Sequence, residues 1–128
     1  MKIEDYHTVY HTTKLSDIEV ALRKRYRAGR NSFWLFHGGN KFPAINIMVI
    51  GNLAYIHYFP EERHPGFASV GTLPGLRSGE ETDFFLSSSD EPLGVMNEAV
   101  VQFSDALQVA REFATSPALP ESIKWSEL

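Results

Sequence analysis

The stretch Ile45-Asn46-Ile47-Met48-Val49-Ile50-Gly51-Asn52-Leu53-Ala54-Tyr55-Ile56-His57-Tyr58-Phe59 decides the fold. Two runs rich in β-branched and aromatic residues flank Gly51-Asn52, a pair suited to a two-residue hairpin turn, so the segment reads as two antiparallel strands. In the first run Ile45, Ile47 and Val49 fall on one face, while Met48 and Ile50 fall on the other. A strand apolar on both faces is covered on both sides, which places it centrally in a sheet. Further short strands are expected at Phe33–His37, Phe67–Gly71 and Thr82–Ser87, giving a mostly antiparallel sheet of about five or six strands. The Pro-, Gly-, Ser- and charge-rich segments Pro60–Gly66 and Thr72–Glu81 read as exposed loops.

Two main helices accompany the strands, which makes the fold class α+β. Ser16-Asp17-Ile18-Glu19 fits a capping box at the start of the first, with Leu15, Ile18, Leu22 and Tyr26 as its apolar stripe and Gly29 as its stop. The second is expected from an N-cap at Ser104 to about Ala114, burying Phe103, Ala106, Leu107, Ala110, Phe113 and Ala114. Pro117 and Pro120 prevent its continuation, and Ile123-Lys124-Trp125 forms a closing tail.

At 128 residues, 43% hydrophobic and 22% charged, without repeats or a Pro-rich linker, the chain reads as a single domain, residues 1–128. Zero cysteines exclude a disulfide framework, a thiolate nucleophile and Cys-ligated metal. No apolar run follows Lys2 in the manner of a secretory signal, and Ile45–Phe59 falls short of the roughly 18 to 20 residues of a membrane helix. A soluble, cytoplasmic protein without a membrane partner is the expectation.

The formal net charge of −4 is unevenly spread. Nine basic and six acidic residues leave +3 over residues 1–64, whereas three basic and ten acidic residues leave −7 over 65–128. Such asymmetry marks either a surface that steers a basic partner or a face kept soluble by its charge. An excess of acid argues against a nucleic-acid binder, and the Arg23-Lys24-Arg25-Tyr26-Arg27 run with Arg30 fans too widely around a helix to form one groove-binding face.

Five histidines carry the remaining chemistry. His7 and His11 have a spacing that suits two metal ligands on a helix, but their segment reads as a strand, so no metal or cofactor is expected. His57 is either a hydrogen-bonded sheet residue or a general base. Phe36-His37-Gly38-Gly39-Asn40 lacks nucleotide-loop spacing and reads as a turn whose amides can face an anion. Glu80, Glu81 and Asp83 sit in a segment open to water, without the desolvation that prepares a catalytic carboxylate.

Ser32-Phe33-Trp34-Leu35-Phe36, the hairpin from Gly51 to Pro60, and a closing block of Ala106, Ala110-Arg111-Glu112-Phe113, Thr115, Pro120 and Trp125 resemble immunity protein family one of bacterial polymorphic-toxin systems. The likeness covers most of the chain. It departs at Ser116-Pro117-Ala118, where a Gly would follow the Thr, and across Pro65–Glu91. The resemblance implies a small cytoplasmic α+β protein that binds and inactivates a toxin, often a deaminase or other nucleic-acid-attacking domain, encoded beside it. A toxin of that kind presents a basic cleft, which an acidic surface can occupy. On charge and loop position, Glu80, Glu81, Asp83, Asp90 and Glu91 are the expected partner-binding groups, with Phe67 as an apolar anchor. The other readings are a small hydrolase working through His57 or His37, and a nucleic-acid-binding module. Trp125 is expected to pin the C-terminal tail over the core.

Overall fold

In the computed structural model, which describes residues 1–128, Gly51-Asn52 does turn the chain between two seven-residue strands. Ile50 pairs with Leu53, and Gly51 takes the left-handed backbone (φ 57°) that such turns require. These strands, β4 (Ala44–Ile50) and β5 (Leu53–Phe59), are the centre of the molecule.

The sheet is larger than the pattern predicts. Besides β3 (Arg30–Phe36), β4, β5 and β6 (Phe67–Val70), it gains β1 (Lys2–Glu4), β2 (Val9–His11), β9 (Val101–Gln102) and β10 (Lys124–Glu127). The order is β10-β6-β5-β4-β3-β1-β2, with β9 pairing β5 as well, and every pairing is antiparallel. A separate hairpin, β7 (Glu81–Phe84) with β8 (Leu93–Met96), brings the total to ten strands rather than five or six. The added strands have two to four residues each, too few for a period-2 pattern to register, and pairing to neighbours makes them. The tail around Trp125 is one of these, an edge strand on β6.

Two helices cover one face of the sheet. Helix α1 spans Leu15–Leu22 and α2 spans Phe103–Thr115. The capping box does not form: the helix begins one residue before Ser16, and Thr12 Oγ1 accepts the Lys14 amide while donating to Asp17. Glu19 instead accepts from Arg23 and Arg111, both at 2.8 Å, which ties α1 to α2 and holds its carboxyl below the ordinary carboxylate range. Nor does Gly29 stop α1, which ends at Leu22, where the Arg25 guanidinium donates to the freed Leu22 carbonyl. Gly29 lies further on, in a turn before β3, and Tyr26 is outside the helix. Helix α2 starts at Phe103, and Ser104 bonds the Gln102 side chain rather than capping. Its buried stripe also includes Val109.

The main core lies between this face and the helices: Ile45, Ile47, Val49, Ala54, Ile56, Phe33 and Leu35 meet Ile18, Leu22, Ala106, Leu107, Ala110 and Phe113. Each fully buried side chain of this size stabilises the fold by about 1.5–3 kcal/mol. Trp125 packs against this core and its indole donates to the Pro120 carbonyl at 2.7 Å, as the tail reading expects. The other face of β4 is covered too, by the β7–β8 hairpin, so the central placement of β4 holds. No helix is long and apolar enough to cross a membrane.

Candidate functional site

The small core that seats the hairpin explains how the acidic residues are displayed. Phe84 and Val95 pack with Met48 and Val100, ringed by Ile50, Leu53, Tyr55, Leu73, Leu76 and Ala99. Phe84 on β7 therefore points at the sheet, and strand alternation turns Glu81 and Asp83 to solvent. The buried Asn97 side chain locks the neighbouring loop by donating to the Arg77 carbonyl (2.8 Å) and accepting from Thr82 (2.6 Å). The Asn97 main-chain N–H also donates to the Glu80 carbonyl at 2.9 Å. Between Arg77 and Glu98 six carboxylates stand against one arginine.

The expected partner-binding residues do not all come together. Glu80, Glu81 and Asp83 form one exposed acidic run, with only a loose Arg77–Glu80 pair at 3.8 Å. Glu91 is exposed on the loop joining β7 to β8. Asp90 on that loop is engaged within the fold, paired with Arg27 and with Arg30 at 3.1 Å. The Arg30 guanidinium also lies 3.6 Å over the Phe85 ring. Phe67 is elsewhere, on the helix side of the sheet beside Tyr58 and stacked under His64 at 5.2 Å. Glu98 was missed: it accepts the Gly79 amide at 2.7 Å, a bond that holds its carboxyl below the usual carboxylate range.

Two concavities flank the hairpin on the helix-free face. The first, about 560 Å³, runs between β8 and β6, with Tyr55, Ala68 and Val70 at its floor, Leu93 and Met96 along one wall, and Leu128 at its end. The second, about 760 Å³, is an aromatic trough across β3, β4 and β5. Trp34 packs against Phe59 at 5.6 Å over the small residues Ala44 and Asn46, and His57 stacks on Phe59 at 3.9 Å. Lys2 and Lys41 against Glu4 and Glu62 leave its rim with no net sign.

No family model matches the chain. It is similar over its whole length, 128 residues and 100% of both chains, to a protein of Burkholderia cenocepacia (strain H111) named double-stranded DNA deaminase immunity protein, at 23% identity.

The residues of the closing block have structural tasks. Arg111 pairs with Glu19, Phe113 is fully buried, and Trp125 packs on the core. His57, His37 and His7 likewise have structural contacts. His57 Nε2 bonds the Pro65 carbonyl at 2.8 Å, and burial holds its pKa below the ordinary value despite that bond. His37 Nε2 bonds the Phe113 carbonyl, and His7 rests edge-on against Tyr26 at 4.8 Å. Neither His57 nor His37 shares a hydrogen bond with a second side chain, so neither is oriented as a general base is by a carboxylate. His7 lies in the β1–β2 turn and His11 at the far end of β2, opposite Lys2, so the two are not on a helix face. The basic run is also spent internally: Arg23 on Glu19, Arg25 on the carbonyls of Leu22 and Gly51, Arg27 and Arg30 on Asp90.

Proposed function

We propose that this chain is an immunity protein, a non-catalytic inhibitor that neutralises a cognate nucleic-acid deaminase toxin by binding it. The observation that carries this reading is the end-to-end likeness to a deaminase immunity protein, spanning 100% of both chains. The β7 carboxylates support it physically. An enzyme that acts on nucleic acid needs positive potential around its substrate cleft, and a rigid hairpin presenting Glu80, Glu81 and Asp83 is drawn to such a cleft and repelled by nucleic acid itself. Inhibition then follows from occlusion of the cleft or of a surface the toxin needs.

Co-expression with the toxin domain encoded beside it tests the reading. Cells producing both should grow, cells producing the toxin domain alone should not, and purified chain should stop deamination in vitro at one equivalent. Persistent deamination with saturating chain would overturn the proposal.

A further inference from the structure

Seven large apolar side chains are exposed, and three of them, Leu93 (45%), Met96 (45%) and Leu128 (55%), surround the single groove between β8 and β6. Val9, Leu15, Val20 and Leu86 take no part in it. The walls of the groove are tied by hydrogen bonds to main-chain carbonyls, two from amides and one from a serine hydroxyl. The Leu128 amide donates to the Gly66 carbonyl at 2.9 Å, the Gly71 amide to the Glu98 carbonyl at 2.8 Å, and Ser69 Oγ to the Ala99 carbonyl at 2.7 Å. Its volume of about 560 Å³ falls in the range of preformed pockets.

The charges around it have one predominant sign. Glu98 lines the groove, Glu81 pairs in register with Met96, and Asp83 with Gly94. None of Glu81, Asp83 and Glu98 has a Lys or Arg partner. Lys124, opposite Val70 on β10, is a cation near the groove on the same side of the sheet. An apolar centre with a charged rim is the anatomy of a protein interface, in which the desolvated centre holds and the rim steers.

We infer that this groove is the anchor point for the toxin: it takes one apolar side chain from a basic segment of the toxin surface, whose flanking Lys or Arg side chains pair with Glu81, Asp83 and Glu98. The inference rests on the immunity reading and replaces Phe67, which lies on the other face, with Leu93, Met96 and Leu128 as the apolar contacts. A second copy of the chain is the wrong occupant, since it would bring the same carboxylates against one another.

The test uses the full chain and a catalytically inactive toxin domain, with rate constants measured by surface capture at two salt concentrations. Met96→Ser and Leu93→Ser should each weaken binding by roughly 10-fold or more through faster dissociation, as loss of a central anchor does. Met96→Leu should retain affinity. Glu81→Lys combined with Asp83→Lys should slow association by about 10-fold at low salt and less at high salt. Trp34→Ala, in the aromatic trough, should bind within about twofold of wild type, as near-neutral surface positions do. Melting curves of each variant exclude unfolding as the cause. Unchanged dissociation in both serine variants, loss of binding in Trp34→Ala alone, or a wild-type dimer dispersed by Met96→Ser would each overturn the groove assignment. Failure of the wild-type chain to bind the toxin domain at all would overturn the immunity reading, and the groove assignment with it.

Discussion

Truncating Phe84 to Ala probes whether the acidic hairpin is a fixed part of the fold or a loose flap. Phe84 is fully buried and is the largest member of the small core on the helix-free face, where it meets Met48, Val95 and Val100. Removing a buried Phe side chain costs about 3–5 kcal/mol, the sum of lost transfer energy and the cavity left behind. Met48 and Val100 belong to or adjoin strands paired on the main sheet, so they cannot follow the missing ring; only the Met48 thioether can swing to fill part of the space. A loss of about 4 kcal/mol at an unfolding slope near 2 kcal/mol per molar urea moves the midpoint by about 2 M. With roughly 2 cal/mol/K of unfolding entropy per residue over this length, Tm falls by about 15 °C. Urea unfolding followed by tryptophan fluorescence measures the first, and hydrogen exchange at the β7 and β8 amides shows where the loss is felt. Leu86→Ser, exposed on the next loop, should change stability by no more than about 0.5 kcal/mol. A loss below about 1 kcal/mol in Phe84→Ala, with β7–β8 protection unchanged, would refute the claim that this small core holds the hairpin in place.

Two further perturbations follow from the charges. Burial holds the His57 pKa below its ordinary value of 6.5, so the unfolded chain takes up the proton first as pH falls. The protein should therefore lose stability on acidification from above pH 6.5 toward the folded-state value, and the melting temperature of His57→Asn should fall less steeply from pH 7 to 5; a steeper fall in the variant would refute this. Asp90, whose side chain is 71% exposed, pairs with Arg27 and Arg30, and Asp90→Ala should cost no more than about 1 kcal/mol because exposed pairs are screened. Its effect should appear instead as faster proteolytic nicking between Leu86 and Glu91, reproduced in the wild type by raising salt; equal nicking rates would sink the idea that this pair tethers the loop.

The central hairpin was legible because Ile45 to Phe59 carries both its face alternation and its turn, all within fifteen residues that need no distant partner to be interpreted. The α+β class, helix α2 and the place of Trp125 were legible for the same reason, since apolar spacing and proline punctuation act locally. Distant contacts decided the rest. Glu19 leaves the capping box because Arg23 and Arg111 give a carboxylate two charged partners in place of one amide, and one of them lies 92 residues away. Strands β1, β2, β9 and β10 are too short to be strands until a neighbour supplies their hydrogen bonds. The charge count placed acid in the second half of the chain, but only the fold separated Asp90, spent on two arginines, from Glu81 and Asp83, which alternation turns outward. The same holds for the apolar contacts. Phe67 lies on the side of the sheet that the helices cover and Met96 on the hairpin across the other side, and which side the helices cover is decided by packing across the whole sequence, which no local pattern contains.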